Sequence, residues 1–254
     1  MKLARDTWLV YQRHMKLMLR SPTWLGFAMA QPITYLLLFA PMLRVALEPI
    51  GADSYSDAYL IYVPGLLVVM CILGGFYAGF GLLAELRAGV IERFRVTPVH
   101  RQALLLGRAL REVTQLVMQS IIITLMALLF GLRAPIGPLL LAYVLLALLA
   151  LMATTLSYQV SLMVRNEGAL GPMINTVAQP LMLLSGVLLP LAVAPIWMQR
   201  IGDFNPFAWA TDSMRALFRG DLNDAVVWQG SLIVAALTVV TVMWSARMFA
   251  RTVR

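Results

Sequence analysis

Apolar runs long enough to cross a bilayer recur along this chain, and that repetition excludes most folds before any motif is weighed. The runs fall at 24–43, 59–83, 112–132, 139–164, 169–189 and 228–248. Each is close to the roughly 20 residues that a helix needs to span about 30 Å of hydrocarbon. The expectation is an all-α integral membrane protein with six transmembrane helices. Its 254 residues then leave no room for a soluble domain of useful size, and 61% hydrophobic with 13% charged residues is far from the balance of a soluble domain.

Apolar character after Ala169 continues to Met198, further than one crossing requires, and the excess contains Pro190 and Pro195. Residues 190–225 are therefore expected to form a re-entrant external element between the fifth and sixth spans. At the other end, Lys2, Arg5, Arg13, Lys16 and Arg20 interleave with Trp8, Tyr11, Met15 and Leu19 at helical spacing. That pattern predicts an amphipathic interfacial helix over 1–21 rather than a cleavable signal. With the N-terminus inside and six crossings, all but Arg44, Arg133, Arg200, Arg215 and Arg219 of the 20 Lys and Arg residues fall on the inner side. Both termini are then cytoplasmic by the positive-inside rule. The net charge of +8 belongs to membrane loops, and no nucleic-acid partner is expected. Cys71 lies in an apolar run and reads as a small packing residue. Gly75 and Gly79 have the small-xxx-small spacing that lets helices approach closely, within one chain or across a dimer.

Residues 84–98, AELRAGVIERFRVTP, are a short charged stretch between two long spans. Leu83, Leu86, Val90 and Phe94 recur at helical spacing while Glu85, Arg87, Glu92, Arg93 and Arg95 fill the other faces. One side suits the bundle and the other a partner; a cytoplasmic loop whose arginines set topology has the same composition. Gly89 costs about 1 kcal/mol against Ala inside a helix, which points to a bend or a close approach. Thr97-Pro98 ends the element.

Chemistry is as informative by what is missing. No ionisable residue falls near the middle of a predicted crossing, where a charge costs at least about 2.5–3.5 kcal/mol and marks ion or proton paths. His14 and His100 have no second ligand at metal spacing and read as surface residues. There is no GxxxxGK[ST] phosphate loop and no filter repeat. If this chain transports, its energy comes from another chain.

Together these residues resemble the ABC-2 family of ATP-binding-cassette exporter permeases, including the daunorubicin-resistance and nodulation-factor types. Glu85-x-x-x-Gly89-x-x-Glu92, Val96-Thr97-Pro98-Val99 and Leu106-Gly107-Arg108 resemble its signature between spans two and three. Leu184-Ser185-Gly186-Val187 with Pro190, Trp197, Asn205-Pro206, Asp212 and Arg215 resembles the region after span five. The resemblance covers nearly the whole chain, 1–254, as a single transmembrane domain. It implies a permease subunit without a catalytic site, two copies of which, or one with a similar permease, bind ABC nucleotide-binding ATPase subunits. It also implies ATP and Mg on that partner, no cofactor in this chain, and a bacterial plasma membrane location.

In that family the 84–98 segment is a coupling helix, so Glu85, Arg87, Gly89, Glu92, Arg93, Phe94, Arg95, Thr97 and Pro98 are the expected ATPase contacts. Family geometry puts spans two and five at the dimer axis, which makes Phe76, Tyr77, Phe80, Met182 and Leu184 candidates for a substrate path. Each of the five equally suits core packing. An apolar, aromatic lining favours an amphipathic drug, lipid or glycolipid as cargo, with lipo-oligosaccharide or polysaccharide export as the alternative. A membrane-embedded lipid-modifying enzyme would need polar residues clustered at one interface. Asp212 and Arg215, spaced i, i+3, are expected to pair on an exposed external helix. Trp197, Trp209 and Trp228 suit an interfacial belt.

Overall fold

The structure is a computed structural model that describes residues 2–20, 26, 29–38, 42, 55–89, 99–187, 191 and 194–252. Among these residues the regular elements are all helical: α1 (Lys2–Leu19), α2 (Met29–Leu38), α3 (Tyr55–Arg87), α4 (Arg101–Leu129), α5 (Ile136–Val164), α6 (Glu167–Leu183), α7 (Ile196–Gly202), α8 (Pro206–Arg219) and α9 (Ala225–Thr252). Four of them, α3, α4, α5 and α9, are long and apolar enough to cross a membrane, so the chain is a multi-pass membrane protein.

Several helices overrun the predicted spans, for a local reason. Ala84, Glu85, Leu86 and Arg87 all favour helix, and α3 continues through them before Gly89, at φ 65°, closes it. These four residues therefore extend the second predicted span rather than opening a new helix; 90–98 lies outside the described residues. Likewise α4 starts at Arg101 rather than 112, because Arg101–Arg111 is rich in helix formers and α1 packs along it. The fifth predicted span ends at Leu183, short of 189. Within the predicted external element, α7 and α8 are two short helices, and Pro190 lies outside the described residues.

Helix α5 is the centre of the bundle, packed against α3, α4, α6, α8 and α9. Small and hydroxylated residues make this possible. A Cβ on Gly75 would collide with Ala153, and one on Gly79 with Ser157 and Ser161. The Gly75/Gly79 spacing is thus used within the chain, backbone against backbone. Ser157 ties the seam: its hydroxyl donates to the Phe76 carbonyl, and the Gly79 N–H donates to Ser157 Oγ at 3.0 Å. On the opposite flank, α9 is joined by Gln159 Nε2 donating to Thr241 O at 2.9 Å and by Thr238 Oγ1 donating to Leu148 O at 3.1 Å.

Candidate functional site

Two polar constructions interrupt this apolar bundle, one at each end of α3. At the Glu85 end, Arg108 of α4 donates from Nη1 to Glu85 Oε2 at 2.6 Å. Gly81, one turn before Glu85, leaves room for that guanidinium, since a Cβ there would lie 3.0 Å from Arg108 Nη2. Arg111 pairs with Glu112 beside it. Helix α1 closes the node: Asp6 Oδ2 accepts the His100 N–H at 3.1 Å at the start of α4, and Gly107 lets Thr7 and Val10 rest on the α4 backbone. His14 Nδ1 lies 3.8 Å from Glu85 Oε1. Burial, followed by the positive charges of Arg108, Arg13 and Arg111, lowers the His14 pKa to about 4, so at neutral pH the imidazole is uncharged. Among the described residues Glu85 therefore has one ionic partner, Arg108.

The end of α3 is tied to a third helix as well. Arg87 pairs with Glu167 Oε2 at 3.3 Å in the first turn of α6. That turn is well built: Arg165, at φ 50°, ends α5, and Asn166 Oδ1 caps α6 by accepting the Gly168 N–H. Of the nine expected ATPase contacts, Glu85, Arg87 and Gly89 thus sit at the point where α1, α3, α4 and α6 meet. Glu92, Arg93, Phe94, Arg95, Thr97 and Pro98 lie outside the described residues.

At the other end of α3, Arg215 of α8 is buried, 5% exposed. Its Nε donates to Ile61 O at 3.2 Å, and Nη2 donates to Gly186 O at 2.7 Å. Nη1 is 3.5 Å from Asp212, so the expected i, i+3 pair forms, but the arginine is inside the bundle rather than on an exposed helix. Arg215 needs carbonyl partners because its helix packs flat against α3 and α5. Asn205 and Pro206 act as a unit beneath it: Asn205 Oδ1 caps α8 through the Phe207 N–H, its Nδ2 donates to Leu181 O at 2.8 Å, and Pro206 starts the helix. Trp197 is exposed.

The five candidate path residues do not converge. Phe76 is core, its ring 6.3 Å from Phe207 on α8. Tyr77 and Phe80 stack at 5.9 Å on another face of α3, and the Tyr77 hydroxyl is 3.0 Å from Asn175 Oδ1 of α6. Met182 and Leu184 are half-buried at the far end of α6. What the sequence reading passed over is a polar stripe on α4: Arg108, Glu112, Gln115 and Gln119 repeat at alternating spacings of four and three, one face of a helix. Starting the span at 112 split that stripe between a loop and a crossing. His14, read as a surface residue, is half-buried in the same node.

Residues 5–218 match the family described as ABC-2 type transporter. Over 209 residues the chain is 28% identical to a daunorubicin resistance ABC transporter permease protein, DrrB1, of Streptomyces coeruleorubidus, covering 80% of this chain and 70% of that one. Over 202 residues it is 25% identical to a protein of Porphyra purpurea described as a transport permease, covering 78% and 69%. A similar match, 25% over 203 residues, is found in Pyropia yezoensis.

Proposed function

This chain belongs to the ABC-2 type transporter family, and from that premise we propose that it is the permease subunit of an ATP-driven exporter in a bacterial plasma membrane. Two permease copies with six spans each would enclose the path, with both termini cytoplasmic and the 84–98 segment docked on a separate ATPase that carries ATP and Mg. The observation that carries this reading is the node at Glu85. A push on 84–98 would reach α3 directly and reach α4, α6 and α1 through Arg108, Arg87 and His14. Closure of the ATPase would then shift the bundle by favouring one arrangement of this node over another.

Two further features support the orientation. Helix α1 buries Asp6, Thr7 and Val10 while leaving Trp8 and Leu9 exposed on the other side, apolar surface that lipid at the inner surface would cover. Most Lys and Arg residues fall on that side. An amphipathic drug, lipid or glycolipid is the proposed cargo class, in keeping with the name of the Streptomyces relative.

Purification of the tagged chain from its native membrane, with mass spectrometry and an ATPase assay, tests the proposal. The expected result is a co-purifying subunit with nucleotide-binding motifs that is lost or uncoupled in Glu92→Arg. A chain that purifies alone, without ATPase, and a variant indistinguishable from wild type would overturn it.

A further inference from the structure

Arginines at the Glu85 end of the bundle are paired at the node: Arg108 with Glu85, Arg111 with Glu112 and Arg87 with Glu167. Beside the node, three more are left over. Arg165, at the end of α5, and Arg247 and Arg251, in the last turns of α9, line one recess with Trp244 and Met248, and no acidic side chain lies on its wall. All three arginines are exposed, and none forms an ion pair among the described residues. The acid nearest to Arg165 in sequence, Glu167, is taken by Arg87.

A helix end attracts a cation, and arginines at an inner surface set topology, but neither effect requires three of them to converge from two helices. Packing brings them together here. Thr155 and Gln159 of α5 both bond to Thr241 of α9, which holds the two helix ends side by side. Helix α5 then stops at Arg165 with φ 50°, in the left-handed region where glycine is the usual occupant. Arg165 Nε donates to Leu162 O at 3.2 Å, which leaves the two Nη groups of its fork for another acceptor. Arg247 and Arg251 stand i, i+4, a spacing at which like charges repel and an anion between them brings relief. The recess also has a direction. Val240, Trp244, Arg247 and Arg251 repeat at spacings of four, three and four and are all exposed, so one face of α9 passes from apolar through tryptophan to cations. A phospholipid at a membrane surface has that same order, from acyl chain to phosphate.

We infer that this recess binds an anionic phospholipid, its phosphate held by Arg165, Arg247 and Arg251, its glycerol against Trp244, and an acyl chain along Val240 and Met243. Guanidinium forks match phosphate oxygens, and basic recesses between membrane helices are suited to such head groups. A zwitterionic lipid carries the same phosphate, but its ammonium would meet the arginines' charge, so the site prefers the anionic lipid. An acidic protein surface would satisfy the arginines and leave Trp244 and the apolar residues that continue from it uncovered. Binding here needs neither an ATPase nor a second copy, so it stands apart from the transport reading.

The test titrates the full-length protein, with its ATPase subunit where one co-purifies, with dioleoyl phosphatidylglycerol or dioleoyl phosphatidylcholine in mild detergent, read by native mass spectrometry. The expected result is a phosphatidylglycerol site about tenfold tighter than any for phosphatidylcholine. Arg165→Gln, Arg247→Gln and Arg251→Gln should each weaken it about fivefold, and the last two together about 25-fold. Arg5→Gln with Lys16→Gln removes the same charge from exposed positions of α1 and should change it by less than about twofold. Phosphatidylglycerol with brominated acyl chains should quench tryptophan fluorescence, and Trp244→Phe should remove most of that quenching. Equal weakening by the α1 pair, or equal affinity for the two lipids, would overturn the site. Displacement of the lipid by inorganic phosphate at matching concentration would make the recess a small-anion site and overturn the lipid. Loss of the ATPase subunit from the Arg247→Gln, Arg251→Gln protein with lipid binding unchanged would assign the recess to a protein contact and also overturn it. A chain that binds lipid as expected but has no ATPase would remove the transport reading and leave the site standing.

Discussion

Arginine holds both ends of α3, but with different kinds of partner. Arg215 donates to the main-chain oxygen of Ile61, which cannot turn away without unwinding α3, and to that of Gly186 in the turn that follows α6. Arg108 donates to the Glu85 carboxylate, which has its own rotamers and a second neighbour in His14. The Arg215 end is therefore fixed, and the Glu85 end can be re-paired. That contrast suits a subunit driven from one end: movement is possible where the contacts are exchangeable and is resisted where they are built into the backbone.

The largest expected effect comes from breaking the fixed end. Arg215→Met strands the buried carbonyls of Ile61 and Gly186 and should cost about 3–5 kcal/mol, seen as loss of folded protein or a much lower melting temperature in detergent. Arg215→Lys should fail too, because one ammonium cannot reproduce the two-sided reach of the guanidinium. Melting within a few degrees of wild type would mean that this end is not clamped. A middle-sized effect belongs to the exchangeable end. Glu85→Gln should cost about 1–2 kcal/mol in stability, yet lower substrate-dependent ATPase activity about tenfold. Exchanging the charges, Glu85→Arg with Arg108→Glu, should recover part of that activity. Equal loss in the single and exchanged variants would show that the pair does not transmit anything.

The most local effect is a pH dependence of α1. Because the folded-state pKa of His14 is lowered to about 4, from an ordinary value of 6.5, protonation favours the state with α1 detached. Stability from this group is complete above about pH 6.5, falls as pH drops toward 4, and falls no further below that. Amide exchange in α1 should be about 25-fold faster at pH 5 than at pH 7.5, after correction for intrinsic rates, and this difference should vanish in His14→Gln. A difference that persists in His14→Gln would assign it to another group.

Much of the architecture could be read from local pattern. The apolar runs at 139–164 and 228–248 are found in α5 and α9, each a few residues longer, and only Arg165 and Asn166 separate α5 from α6. Asn205-Pro206 carries a helix start in its residue types. The site was less legible, because side-chain placement there depends on contacts distant in sequence. Nothing near His14 says that it meets Glu85, which requires α1 to lie along α4. Phe76 and Tyr77 are adjacent in sequence and part ways in space, since α8 covers one face of α3 and α6 approaches the other. The pairing of Asp212 with Arg215 was visible in their spacing, whereas the burial of Arg215 was not, because hydrogen bonds to carbonyls leave no trace in composition. The α4 stripe was present in the sequence and was hidden only by where the span was taken to begin.

The 33 residues of α3 form one helix about 50 Å long, well beyond the thickness of a hydrocarbon core. From Ile61, held by Arg215, to Glu85 the distance along it is roughly 36 Å. A rigid rod pivoting at the first point by about 5° sweeps its far tip through about 3 Å, as far as a donor and acceptor stand apart in a hydrogen bond. Small angular strokes about the Arg215 end of α3 are thus enough to exchange partners at the Glu85 end, and Pro64, inside the helix three residues beyond Ile61, is the place where such a bend falls.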